Sequence, residues 1–170
     1  MTNHSSAVVV ELDRFDAKQR ALLDDIERAT ITEARERKPA PDEWSLTEVV
    51  QHLALVTEGM LRSARPREEG SPSLEHDGFE QLQSRLRSGV KIKAPTDRIV
   101  PRPGVTWNDA VANARAGVDR WRESLASGRL QDVSFPHPRA GELTTEQTVR
   151  FLSDHLDHHL AQVDRLLGRT

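Results

Sequence analysis

Apolar residues recur along this chain in four long stretches, at alternating steps of three and four. That spacing lines one face of an α-helix. The first stretch covers residues 7–35, where Val8, Leu12, Phe15, Leu22 and Ile26 make the stripe and Gln19 interrupts it. Lys38-Pro39-Ala40-Pro41 follows and ends it, because proline cannot continue the hydrogen-bond ladder. The second starts at Ser45, where Ser45-Leu46-Thr47-Glu48 fits a capping box, and carries Leu46, Val49, Leu53, Val56 and Met60. The third opens on Thr106-Trp107-Asn108-Asp109, with Asp a weaker fit at the last box position. Its stripe is Trp107, Val111, Ala114, Val118, Trp121 and Leu125. The fourth begins at Thr144, again with a box, Thr144-Thr145-Glu146-Gln147. It runs through Val149, Leu152, Leu156, Leu160, Val163 and Leu167 to a C-terminal stop at Gly168.

None of the nine prolines falls inside these stretches, and no convincing strand stands between them. The pattern predicts an all-α four-helix bundle forming a single domain over residues 1–170. Two connections are short. The third, residues 66–103, is long, contains a short helical pattern over 79–87, and is otherwise turn-formers and charges. A link of that length is a crossover that lets the second and third predicted helices run parallel. Long connections in compact domains are often functional, so this one is expected to cover one end of the bundle, over the site.

Composition narrows the chemistry. Of the 170 residues, 4% are aromatic and none is Tyr, which favours helix over sheet. The net charge is -3, and no basic stripe with interleaved aromatics is present, which argues against a nucleic-acid partner. No apolar run approaches the roughly 18 residues of a membrane span. The chain begins with no signal-peptide core, so a cytoplasmic protein is expected. There is no cysteine, so disulfides, thiolate zinc sites and an internal thiol nucleophile are excluded. Any thiol chemistry must use a thiol from outside.

The chemistry-bearing residues are histidines. His155 and His159 are four apart on the fourth predicted helix, so two imidazoles share one face, one turn apart. His52 lies on the flank of the second helix's stripe, facing inward. Three imidazoles from two facing helices would make a three-histidine site with positions left open, the arrangement of a working metal. The bland alternative for a lone inward histidine is a hydrogen-bonded core residue. Three of them need partners that one ion would satisfy together. Gln162 reads as a hydrogen-bonding neighbour of a ligand, or equally as a bland polar residue at the bundle edge. Glu48 reads first as the capping-box carboxylate and second as a base or an acceptor behind His52. His158, Asp154 and Asp157 read as solvent-facing. His4 reads as part of a frayed terminus and His76 as exposed in the long connection, and His137, in Phe135-Pro136-His137-Pro138, approaches the bundle end or simply packs in a rigid loop.

Two stretches carry a family resemblance. Lys38-Pro39-Ala40-Pro41-Asp42-Glu43-Trp44-Ser45 through His52-Leu53 resembles the Pro-rich entry, Trp-Ser helix start and first ligand of the DinB-like (YfiT-like) metal-binding four-helix bundles. His137-Pro138, Gly141-Glu142-Leu143-Thr144 and His155 through Gln162 resemble that family's last helix, with paired ligands and a trailing Gln. The resemblance implies zinc or nickel held by His52, His155 and His159. It also implies an activity class, since family members include thiol S-transferases that use bacillithiol, mycothiol or glutathione, and a thiol-dependent isomerase. The expectation is a metal-dependent S-transferase whose partners are a small-molecule thiol and an electrophile. Two rivals stand beside it: a hydrolase using metal-activated water, and a metal-binding or structural bundle without chemistry. Homodimerisation through a helical face is compatible with the stripes.

Overall fold

The computed structural model describes residues 6–67, 77–90 and 94–169. His4 and His76 lie outside them. Four long helices form the frame: α1 (Ser6–Ala29), α3 (Leu46–Ser63), α5 (Trp107–Ala126) and α6 (Thr145–Leu166). Two shorter helices, α2 (Thr32–Glu36) and α4 (Asp77–Arg87), pack against this frame. The packing is bundle-like: α3 lies chiefly against α5, α1 against α6, and α3 meets α6 across the middle.

Local sequence explains the helix starts. All three expected capping boxes form. Ser45, Thr106 and Thr144 each accept from the backbone N–H three residues on, and Glu48, Asp109 and Gln147 return the bond. Asp109 completes its box despite its shorter side chain. At the other end of α6, Gly168 takes a positive φ of 70° and the chain closes with Arg169 N–H donating to Asp164 at 2.9 Å.

Three expectations need correction. The first predicted helix is not continuous. It breaks at Thr30-Ile31, where Ile31 is extended at φ -94° and ψ 163°. Thr30-Ile31-Thr32 is a β-branched run, which crowds the preceding turn of a helix. The Thr30 hydroxyl donates to Ile26 O at 2.6 Å, and the Arg35 guanidinium donates to Thr30 O at 2.7 Å and Glu27 O at 3.0 Å. These bonds occupy carbonyls that a continuing helix would have used.

Second, the fold is not purely helical. β1 (Arg65–Pro66), β2 (Val133–His137) and β3 (Gly141–Leu143) form a three-stranded antiparallel sheet in that order, with Phe135 opposite Leu143 and Arg65 opposite Ser134. Phe135 and Leu143 are fully buried, and the Phe135 ring stacks on Trp121 at 5.4 Å. The sheet thus closes one end of the bundle core. Strands of two, five and three residues leave almost no alternation to read, and Pro136 argues against a strand in sequence.

Third, Gln19 is core rather than an interruption. It is 2% exposed and its Nε2 donates to Ala114 O at 3.1 Å, tying α1 to α5.

The long connection folds back on α3. It contains α4 and a 3-10 turn at Asp97–Ile99, and that turn packs on α3 beside His52. Arg102 N–H donates to the buried Gln51 Oε1 at 3.0 Å, one residue from His52. Among the described residues, no helix is long and apolar enough to cross a membrane.

Candidate metal centre

His52 sits on α3, with His155 and His159 one turn apart on α6. The fold brings all three rings together: His155 Nε2 lies 3.2 Å from His52 Nε2 and 3.2 Å from His159 Nε2. One nitrogen from each ring lies within 4.8 Å of the others. His52 and His159 are buried, and His155 is half-buried.

The outer nitrogens decide what the inner ones carry. His52 Nδ1 lies 2.7 Å from Ile99 O, which can only accept, so the proton of His52 is on Nδ1 and its Nε2 presents a lone pair. His159 Nδ1 lies 2.9 Å from Gln162 Oε1 and donates to it, leaving a second lone pair on Nε2. His155 Nε2 stands between the two. Protonated there, it can donate to only one neighbour, and the lone pair of the other is left without a donor. Protonated on Nδ1, it adds a third lone pair to the convergence. A cation satisfies all three nitrogens at once.

The spacing fits such an ion. Two nitrogens each about 2.0–2.1 Å from a tetrahedral zinc lie roughly 3.3 Å apart. The two observed separations of 3.2 Å are close to that. The protonated outer nitrogens match the usual support of a ligating histidine, whose second N–H goes to a carbonyl or carboxylate.

Electrostatics keep the rings neutral. Burial drives His159 down from its ordinary 6.5 to about 4, and lowers His52 as well. His155 is pushed well below 6.5, first by burial and then by the neighbouring His159 and His52. Neutral imidazole is the form that binds metal.

Aromatic walls flank the cluster. Trp44 lies 4.8 Å from the His52 ring and 6.4 Å from His159. Phe151, one turn before His155, stacks on it at 5.5 Å. His137 meets Phe151 edge-on at 4.8 Å, accepts from Arg139 N–H at 3.2 Å, and is lowered by burial to about 4. It therefore approaches the cluster through Phe151.

Two residues near the cluster, His158 and Asp154, differ from their expected solvent-facing places, whereas Asp157 and Glu48 are where they were expected. His158 is half-buried, not solvent-facing. Its Nδ1 donates to Leu86 O at 3.0 Å, pinning the end of α4, and its ring meets His159 at 5.3 Å. Asp154 is half-buried and accepts from Gln83 at 2.6 Å, whereas Asp157 is exposed and pairs with Lys18 at 2.6 Å. Glu48 is engaged at both oxygens, by Ser45 N–H at 2.8 Å and Lys38 at 2.9 Å. Ile99, by contrast, gave no signal in sequence, since any residue offers a carbonyl. Phe151 could have been found from its place one turn before His155, and Trp44 from its place before the capping Ser45.

A protein-family model for the DinB superfamily matches residues 11–163. The chain belongs to the DinB superfamily. The match spans α1 to α6 and includes all three clustered histidines. Uncharacterized protein YuaE of Bacillus subtilis (strain 168) is similar to this DinB-superfamily chain, at 25% identity over 134 residues covering 76% of the chain and 81% of YuaE. No solved structure matches it.

Proposed function

We propose that His52, His155 and His159 hold a divalent zinc or nickel ion, and that the protein is a metal-dependent S-transferase acting on a small external thiol and an electrophile. The observation that carries this reading is the convergence of three Nε2 atoms with their outer nitrogens already committed. An ion on three neutral ligands keeps its full charge and an open position, so when bound it lowers a thiol pKa from about 8.5 and favours thiolate near neutral pH.

The chain's own part is positioning. Ile99 O fixes the tautomer and tilt of His52, and Gln162 does the same for His159. Trp44 and Phe151 border the cluster with apolar rings, which lowers the local dielectric and strengthens the field there. No cysteine competes with the external thiol. Glu48, committed to the helix cap and Lys38, is left out of the reacting set.

The test is metal content per chain in untagged protein, beside His52→Ala and His159→Ala. About one ion per chain in the wild type, lost in both variants, supports the centre. Metal-loaded protein is then screened with a panel of low-molecular-weight thiols against epoxides and activated carbons. Thiol-dependent turnover supports the transferase. Ester or amide turnover without thiol supports a hydrolase instead. Absence of metal after reconstitution ends both readings.

A further inference from the structure

The backs of two ligand rings are closed by protein, Ile99 O behind His52 and Gln162 behind His159. Among the described residues, the indole of Trp44 packs against the same two rings, 4.8 Å from His52 and 6.4 Å from His159. A molecule held by an ion at this cluster therefore lies within reach of Trp44.

Trp44 differs from the other tryptophans in its polar atom. Trp107 and Trp121 are buried, and each donates its indole N–H at 3.1 Å, to Glu27 and to Thr57 O. A tryptophan packed in a protein ordinarily finds such an acceptor. Trp44 is half-buried, and its Nε1–H has no acceptor among the described residues. Nor is that nitrogen sealed in the core, where the unpartnered side-chain atoms are Gln19 Oε1, Thr47 Oγ1 and Ser153 Oγ. The donor is unspent and open to a visitor.

The residues on either side hold the indole in place. Glu43 N–H donates to Ala40 O at 3.1 Å, and its carboxylate accepts from Arg165 of α6 at 3.4 Å. Ser45 N–H donates to Glu48 at 2.8 Å in the capping box, and Lys38 pairs with the same carboxylate at 2.9 Å. An anchored side chain loses little freedom on binding, so one hydrogen bond from it counts nearly in full.

We propose that Trp44 is a specificity-determining residue that touches the bound thiol: its ring lies along the carbon chain, and its Nε1–H donates to a carbonyl oxygen of the same molecule. The inference rests on the reading of the centre as one that binds an external thiol. An uncharged oxygen suits this place. A carboxylate is itself a metal ligand and would compete with sulfur for the open position, whereas an amide or ketone oxygen leaves the ion to the thiolate and satisfies the indole.

The test compares two thiols on the intact, nickel-loaded protein: N-acetylcysteamine, and 1-pentanethiol, which has a chain of the same length without the carbonyl. The sulfur-to-nickel charge-transfer band gives each affinity. Trp44→Phe keeps an aromatic ring and removes the N–H. The preference for N-acetylcysteamine over 1-pentanethiol should fall about three- to tenfold in that variant, the worth of one neutral hydrogen bond. Taking the ratio cancels the loss of apolar contact that both thiols share. A second measurement uses the zinc-loaded wild type, whose Trp44 indole N–H resonance should move to lower field with N-acetylcysteamine and not with 1-pentanethiol. A preference unchanged in Trp44→Phe, or an indole resonance that responds alike to both thiols, would overturn the proposal while leaving the thiol-binding centre in place. Bound nickel with no such band from either thiol would overturn the thiol reading of the centre and this inference with it.

Discussion

His52 Nε2 and His155 Nε2 lie 3.2 Å apart although 103 residues separate them in the chain. Each ring is also anchored on its own helix. His52 is fixed from behind by Ile99 O, and His155 by its place one turn before His159 on α6. The pair is thus set by the packing of α3 against α6, and its inner nitrogens are free to face a common ion.

The support behind a ligand should be measurable. Gln162→Leu removes the acceptor for His159 Nδ1–H and should lower metal affinity by roughly 10–100-fold. Gln162→Glu keeps an acceptor and should retain most of the affinity. Competition against a chromophoric chelator reads both, and circular dichroism checks that the helices persist.

Trp44 should report on the centre. Its ring is 4.8 Å from His52, whereas Trp107 and Trp121 are buried in the core, donating to Glu27 and Thr57 O. Titrating nickel into metal-free protein should quench tryptophan emission in the wild type, and Trp44→Phe should abolish most of that change. A full response in Trp44→Phe would place the ion elsewhere.

Acid should destabilise the metal-free protein early. His159 and His137 are each lowered from 6.5 to about 4 in the fold. Between pH 6.5 and about 4 the unfolded chain therefore binds more protons than the folded one. Stability falls as pH falls through that window, by up to about 1.4 kcal/mol per pH unit for each such histidine. Urea unfolding at pH 7 and pH 5 should show the loss, and His137→Asn should reduce it.

Two glycines should respond in opposite senses. A Cβ on Gly78 in α4 would stand 2.5 Å from Ala140 O, a backbone atom that cannot step aside. Gly78→Ala should therefore cost about 1–3 kcal/mol through overpacking. It should also loosen the docking of α4 that His158 secures through Leu86 O. A Cβ on Gly59 in α3 meets only Ile99 Cγ2, at 4.0 Å. Gly59→Ala should be neutral or stabilise by up to about 1 kcal/mol through helix propensity. Thermal melts of the two variants give the comparison.

Much of the frame was legible in the chain because its signals are local. Helical periodicity needs only a few neighbouring residues, and a capping box only four, so the starts at Ser45, Thr106 and Thr144 were readable. So was the pairing of His155 with His159, since a helix fixes i and i+4 on one face. The inward direction of His52 followed from the stripe beside it, and its meeting with the pair rested on resemblance as well as on that stripe.

Tertiary structure decided what depends on distant partners. The break at Thr30 is held by Arg35 bonding back to Thr30 and Glu27 carbonyls, which no stripe records. The strands β2 and β3 are too short to announce themselves and exist because Phe135 and Leu143 find the core. Ile99 reaches His52 through a backbone carbonyl, a group every residue possesses. His158 left the solvent because α4, from the long connection, came to lie over α6 and offered Leu86 O. A residue's type and spacing limit what it can do locally, whereas the group that meets it is chosen by how the whole chain packs.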